Sequence, residues 1–268
     1  MPRFPTIFVS HGSPMTAIEP GAAGDAWRAL AAALPRPRAV LIASAHWETG
    51  LPMLTGSAKP ETIHDFGGFP QALYEIVYPA AGAPQVAAEA TDVLKRAGIT
   101  AAIDGCRGLD HGAWVPLRHM YPNAEIPVVQ ISVQPDRGAA HHIALGRALA
   151  PLAEKDVLVI GSGHVTHNLR DWSLNLRRAS QLPYVTEFAD WLADRLESND
   201  DAALVGWREQ GPNATRAHPS EEHFLPLLIA YGAAGERPRV ERVHREVIGG
   251  ALAMDAYRFG AATTHNHG

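Results

Sequence analysis

Fourteen histidines in a chain of 268 residues are the first chemical signal. Several follow short apolar runs and stand beside small residues. His11-Gly12 follows Thr6–Ser10, and Ala45-His46 follows Ala39–Ser44. His164 and His167 close Gly161-Ser-Gly-His-Val-Thr-His, which follows Val157–Ile160. Imidazole exchanges a proton near neutral pH and ligates metal ions, so either task suits it. If the runs are strands of one open parallel sheet, their carboxyl ends share a rim where ligands bind. His11, His46 and His167, or His164 in its place, would then meet despite their separation along the chain. Each alone reads as an ordinary hydrogen-bonded histidine. Their identical placement points to a site.

A fourth candidate comes from Pro219-Ser-Glu-Glu-His223-Phe-Leu-Pro-Leu-Leu. Ser220 suits a helix N-cap, with Glu221 and Glu222 in the first turn, where the dipole favours carboxylates. His223 then shares a stripe with Leu227 and points inward, as a metal ligand would. Glu222 lies about 100° around such a helix, so the two would not hold one ion together. Thr62-Ile-His64-Asp65-Phe66-Gly-Gly-Phe69-Pro70 reads as a loop whose glycines let backbone approach a ligand and whose phenylalanines wall an apolar pocket. Gly108-Leu-Asp110-His111-Gly-Ala-Trp114 sets a carboxylate before a histidine at a helix start, as an N-cap or as a catalytic pair. Cys106 has no nucleophile motif. His141-His142 reads as a solvated helix beginning, while His119 and His244 read as structural.

The elements that must position these groups alternate. Besides the strands above, Ile126–Val133 reads as a strand. Helices are expected over Asp25–Leu34, Pro84–Gly98 and His141–Leu152. Short β-branched strands separated by helices predict an α/β fold: a largely parallel sheet covered on both faces. Hydrophobic residues at 46% and charged residues at 19% supply a core, which excludes disorder as the main state. The formal charge of −5 argues against nucleic acid as the partner. No apolar run reaches membrane-span length, and the start does not read as a signal peptide, so no membrane role is expected. One cysteine fits a reducing cytoplasm. A single domain over 1–262 with a flexible tail at 263–268 is expected.

The ordered elements Ser10-His-Gly-Ser-Pro14, Ser44-Ala-His-Trp47, Ile63-His-Asp-Phe-Gly-Gly-Phe-Pro70, Asp110-His-Gly-Ala-Trp114, His167-Asn-Leu169 and Glu222-His-Phe-Leu-Pro226 closely resemble the class III extradiol ring-cleaving dioxygenases of the LigB-like superfamily, within it the 4,5-DOPA dioxygenase branch. The match runs from residue 6 to about residue 230. The resemblance implies a single-domain three-layer α/β/α sandwich around a mixed sheet, carrying one divalent metal per chain: Fe(II) for activity, or Zn(II) as found. It implies His11, His46 and His223 as metal ligands, with Glu222 the alternative to His223. It makes His167 the acid/base that can also lie against the metal, and His111 a second proton-handling group beside Asp110. Trp47, His64, Phe66 and Phe69 would orient the ring. The implied reaction opens a catechol, a small aromatic diol of DOPA type, with both atoms of O₂ as co-substrate, giving a semialdehyde. A zinc-dependent hydrolase and a catalytically silent metal- or ligand-binding protein are the alternatives on the same fold. A monomer or small homo-oligomer is expected.

Overall fold

A computed structural model describes residues 4–175 and 180–260. The expected tail at 263–268 lies outside the described residues. Strands β1 (Thr6–Ser10), β2 (Ala39–Glu48), β3 (Met53–Thr55), β4 (Ala102–Asp104), β5 (Val128–Val133), β6 (Val157–Gly163), β7 (Arg239–His244) and β10 (Ala256–Gly260) form one eight-stranded sheet, ordered β4-β3-β5-β2-β6-β1-β10-β7. Strands β8 (Val247–Ile248) and β9 (Leu252–Ala253) pair separately. The centre, β5-β2-β6-β1, is parallel, whereas β3 and β10 join it antiparallel. All four carboxyl ends therefore open on one rim, as the sequence pattern requires.

The helices are α1 (Gly21–Ala32), α2 (Gln71–Tyr74), α3 (Pro84–Arg96), α4 (His111–Met120), α5 (Gly138–Leu149), α6 (Leu169–Asn175), α7 (Pro183–Glu197), α8 (Asp201–Val205), α9 (Trp207–Gln210), α10 (Ala214–Ala217) and α11 (Leu225–Ala233). Alternation along each strand divides the core in two. Phe8, Leu41 and Ala43 face a cluster built with α3, α5, α7 and α11. Ile7, Val9, Val40 and Ile42 face another, with Trp27 of α1 and Leu117 of α4. This is the expected α/β/α sandwich, with a large mixed sheet. No described helix is long and apolar enough to cross a membrane.

Three local expectations are corrected. Helix α1 starts at Gly21, because Pro20 already holds a helical backbone (φ −69°, ψ −24°). Helix α5 begins at Gly138, so His142 lies inside it and is buried rather than solvated. Its ring donates from Nδ1 to the Gly138 carbonyl (2.7 Å) and accepts at Nε2 from the Gln134 amide (3.1 Å). Ser220 caps no helix, since α11 starts at Leu225. Its hydroxyl donates instead to Glu222 Oε1 at 2.9 Å.

The tightest helix contact rests on two glycines. A Cβ at Gly146 of α5 would collide with the Ile229 carbonyl of α11, and a Cβ at Gly232 of α11 with the Ile143 carbonyl of α5. Gly146→Ala is expected to lose about 1–3 kcal/mol, because two rigid backbones must separate. Gly50→Ala, with nothing within 4 Å of the added carbon, should stay within about 0.5 kcal/mol of the parent. Urea unfolding of both variants checks this, and equal midpoints would contradict the packing account.

Candidate metal centre and active site

His11 directly follows β1, His46 stands near the end of β2, and His223 sits in the turn leading into α11. Backbone bonds tie these segments together. The His11 amide donates to the Gly163 carbonyl (3.0 Å), and the His164 amide to the His223 carbonyl (2.8 Å). Gly163 makes this possible, since a Cβ there would collide with the His223 carbonyl. At Gly112, the second residue of α4, a Cβ would press on Ser44 Oγ and His46.

One nitrogen from each of His11, His46 and His223 lies within 4.8 Å of the others. The partners of the remaining nitrogens fix the tautomers of His11 and His223. His11 Nδ1 donates to Ser162 Oγ at 3.0 Å, since the Ser162 hydrogen is already committed to the Gly112 carbonyl. His223 Nδ1 donates to Glu222 Oε1 at 2.9 Å. His46 Nδ1 faces Asp65 Oδ2 at 3.5 Å. His11 and His223 are thereby each left with a bare lone pair at Nε2. His46 Nε2 and His11 Nε2 face each other at 3.0 Å, and His223 Nε2 is buried with no hydrogen-bond partner. Desolvation, then the neighbouring histidines, pushes His11 and His223 well below the ordinary imidazole range. Burial first and then His111 bring His46 to about 4. Protonation is therefore a poor cure for converging lone pairs. A divalent cation is a good one, because three nitrogens about 2.0–2.1 Å from a tetrahedral zinc ion would stand about 3.3 Å apart.

Two more imidazoles face this point. His111 opens α4; its ring centroid lies 3.9 Å from that of His46, and its Nδ1 lies 3.0 Å from Asp65 Oδ1. His167 stacks on His223 with centroids 3.4 Å apart. Burial and then His164 bring His167 down to about 2, so its ring is neutral. His164 differs: its Nε2 donates to the Gly12 carbonyl at 3.2 Å, which ties it to the His11 loop. All six rings border one cavity of about 360 Å³, which Phe66, Phe69, Leu169, Trp172 and Leu252 also line.

A family description, the catalytic LigB subunit of aromatic ring-opening dioxygenase, matches residues 5–259. The chain belongs to the LigB family. It is 41% identical over 261 residues to a 4,5-DOPA dioxygenase extradiol of Beta vulgaris, covering 95% of this chain and 96% of that one. Its identity to the Escherichia coli protein of the same name is 39% over 242 residues, 88% of each chain. A crystal structure of the uncharacterized protein JW3007 from Escherichia coli K12 superposes with a TM-score of 0.80 at 31% identity, covering 96% of this chain and 100% of that one.

Within this LigB-family site, three residues named from sequence stand behind the cavity wall instead of in it. Trp47 follows His46 on β2, and alternation turns it away, to lie under the Arg107 guanidinium at 5.1 Å. His64 bonds the Ile76 carbonyl through Nε2 (3.0 Å) and packs against Phe66, Tyr74 and Trp114, so it braces the aromatic wall. Asp110 is fully buried as the N-cap of α4, accepting from the Ala113 amide. It also accepts from Ser44 Oγ (2.6 Å), Gln130 and Arg107, and so fastens α4 to β2 beneath His46. Glu222, read as pointing elsewhere or as an alternative ligand, holds the far nitrogen of His223.

Sequence reasoning passed over Asp65, which holds both His111 and His46. Burial would raise its carboxyl, but the hydrogen bonds and charge of His111, and then the charge of His46, hold it at about 2. Its signal was position: it is the carboxylate of the His64-Asp65 pair, of which the histidine was chosen. Ser162, Leu169, Trp172 and Leu252 carried no distinctive spacing.

His11→Ala, His46→Ala and His223→Ala are each expected to abolish metal retention after gel filtration, measured by plasma mass spectrometry. Asp65→Asn should keep the metal but weaken its affinity about 10–100-fold, as loss of a ligand-orienting carboxylate does. Full retention in His223→Ala with loss in Glu222→Gln would transfer the third ligand to Glu222.

Proposed function

We propose that the protein is an extradiol dioxygenase that opens a catechol-type ring with O₂ and releases a semialdehyde. The observation that carries this reading is the convergence of three imidazoles on one point, two of them tautomer-locked, beside two further imidazoles and an aromatic wall, in a chain of the LigB family. Relatives named 4,5-DOPA dioxygenase extradiol support it. His11, His46 and His223 would hold one divalent metal, with Fe(II) the active form. When bound, such a metal with few protein ligands supplies a Lewis acid and open positions for a diol and dioxygen.

The protein's own groups account for the remaining work. His167, stacked on His223 at the cavity wall, accepts a phenolic proton through its bare nitrogen and returns it as the ring opens. His111, with Nδ1 turned to Asp65, presents its other nitrogen as a second proton-handling group. Phe66 and Phe69 wall the ring and exclude water, while Trp47, His64 and Asp110 act by positioning. Ser162, Asp65 and Glu222 keep the three ligand rings from turning.

The chain would work as one catalytic domain over residues 1–262, as a monomer or small homo-oligomer. An exposed free thiol at Cys106 suits a cytoplasmic location.

Anaerobic loading with Fe(II), followed by a catechol and ¹⁸O₂, is expected to give a yellow product carrying both labelled atoms. His167→Ala should retain the metal and slow turnover by about 10²–10⁴-fold, the usual contribution of a proton-transfer group. No labelled product from any of several catechols, together with ester or amide hydrolysis by the zinc form, would replace this reading with the hydrolase.

A further inference from the structure

His167 handles the proton in the reading above, so whatever fixes its ring in space bears on the rate. The ring stacks on His223, and its backbone belongs to the segment 164–168 that leaves β6. That segment is clamped at every residue. The His164 amide donates to the His223 carbonyl (2.8 Å), the Val165 amide to Ser10 Oγ (3.2 Å) and the His167 amide to the Ala217 carbonyl (2.8 Å). Thr166 Oγ1 donates to the Ala251 carbonyl and accepts from the Ala253 amide, both at 2.8 Å. Asn168 donates to the Arg216 carbonyl at 2.7 Å. The Val165 carbonyl takes its hydrogen bond from a side chain 53 residues away, His218 Nε2, at 2.8 Å.

His218 is placed for this task by its own backbone. Pro219 follows it, and a residue before proline avoids the helical region. His218 accordingly ends α10 in an extended conformation (φ −132°, ψ 92°), and its ring is fully buried. Phe188 of α7, Trp207 of α9 and Phe224 surround it, with ring centroids 5.7, 5.5 and 5.4 Å away. Burial holds the imidazole neutral, at about 4, so it carries a single N–H. With that N–H given to Val165, Nδ1 is left buried without a partner. Phenylalanine would suit so apolar a cage better, because a buried polar atom without a partner costs free energy. What the imidazole alone supplies is the bond to Val165. With the amide bond from His167 to Ala217, it holds residues 165–167 against 217–218 at two adjacent points.

We propose that His218 is a positioning residue for proton transfer: from behind the cavity lining, it acts through the Val165 backbone to set where the His167 ring meets the diol. This rests on the extradiol reading above.

The test compares His218→Phe, which fills the cage without a donor, with His218→Gln, which sets an amide N–H where Nε2–H stands. The iron-loaded variants and parent are assayed with L-DOPA and 4-methylcatechol, each also in the His167→Ala background. Metal content should equal that of the parent throughout. In His218→Phe, kcat should fall about tenfold or more while KM stays within about twofold, and His218→Gln should recover to within about threefold of the parent. In the His167→Ala background, His218→Phe should change kcat by less than about twofold, since the residue through which it acts is gone. A second readout needs no turnover. In zinc-loaded protein labelled with ¹⁵N-histidine, the imidazole signals that vanish in His167→Ala should shift in His218→Phe and return in His218→Gln. Parent kcat in His218→Phe, an equal loss with and without His167, or unmoved His167 signals would overturn the proposal. If His218→Phe does not fold, His218→Leu takes its place in every comparison. A parent enzyme that opens neither catechol would overturn the extradiol reading instead, and the signals of the zinc form would still decide the positioning.

Discussion

Bare nitrogen lone pairs aimed at one point repel, and everything around this site prevents the usual escapes. Rotation is opposed at the far nitrogens: Ser162 holds His11 and Glu222 holds His223 by hydrogen bonds, and Asp65 faces His46 at 3.5 Å. Protonation is blocked because burial disfavours the charged ring. A cation relieves the repulsion without moving any atom far. The three orienting partners come from β6, from the loop before α2 and from the turn before α11, so three separate chain segments must be correct for one ion to fit.

Close backbone approach is the second requirement, and glycine meets it. Gly161 and Gly163 on β6 let the start of α11 lie directly on the sheet, where Cβ atoms would meet the Pro226 and His223 carbonyls. Gly112 lets α4 descend onto Ser44 and His46, with Asp110 as both its cap and its anchor. The spacing of the three imidazoles at the rim is therefore set by backbone contacts, which are stiffer than side-chain contacts.

The strands and their shared rim were legible because short β-branched runs separated by helices have few other solutions. His11 and His46 were legible from their places at strand ends, and His223 from its sequence context. The reasoning for His223 was partly mistaken: helical geometry from a Ser220 cap put Glu222 far from its neighbour, yet the residues before Leu225 form a turn in which the two side chains bond. Trp47, His64 and Asp110 had suitable chemistry at suitable sequence positions, but strand alternation, a backbone carbonyl and a helix N-terminus claimed them. Asp65 and Ser162 were hidden because orienting a ligand depends on a three-dimensional contact that leaves no spacing rule in the chain. Leu169 and Trp172 were hidden for a related reason: an apolar residue at a cavity mouth has the same composition as one in a core.

The order of the strands has a consequence for biosynthesis. β1 delivers His11 from the amino-terminal end, yet it lies between β6 and β10, and the His223 turn is made only after four-fifths of the chain. The three imidazoles therefore cannot meet until the His223 turn has been made and has docked against Gly163 of β6, so a chain cut before that turn would carry the strand-end histidines without the third member of their cluster.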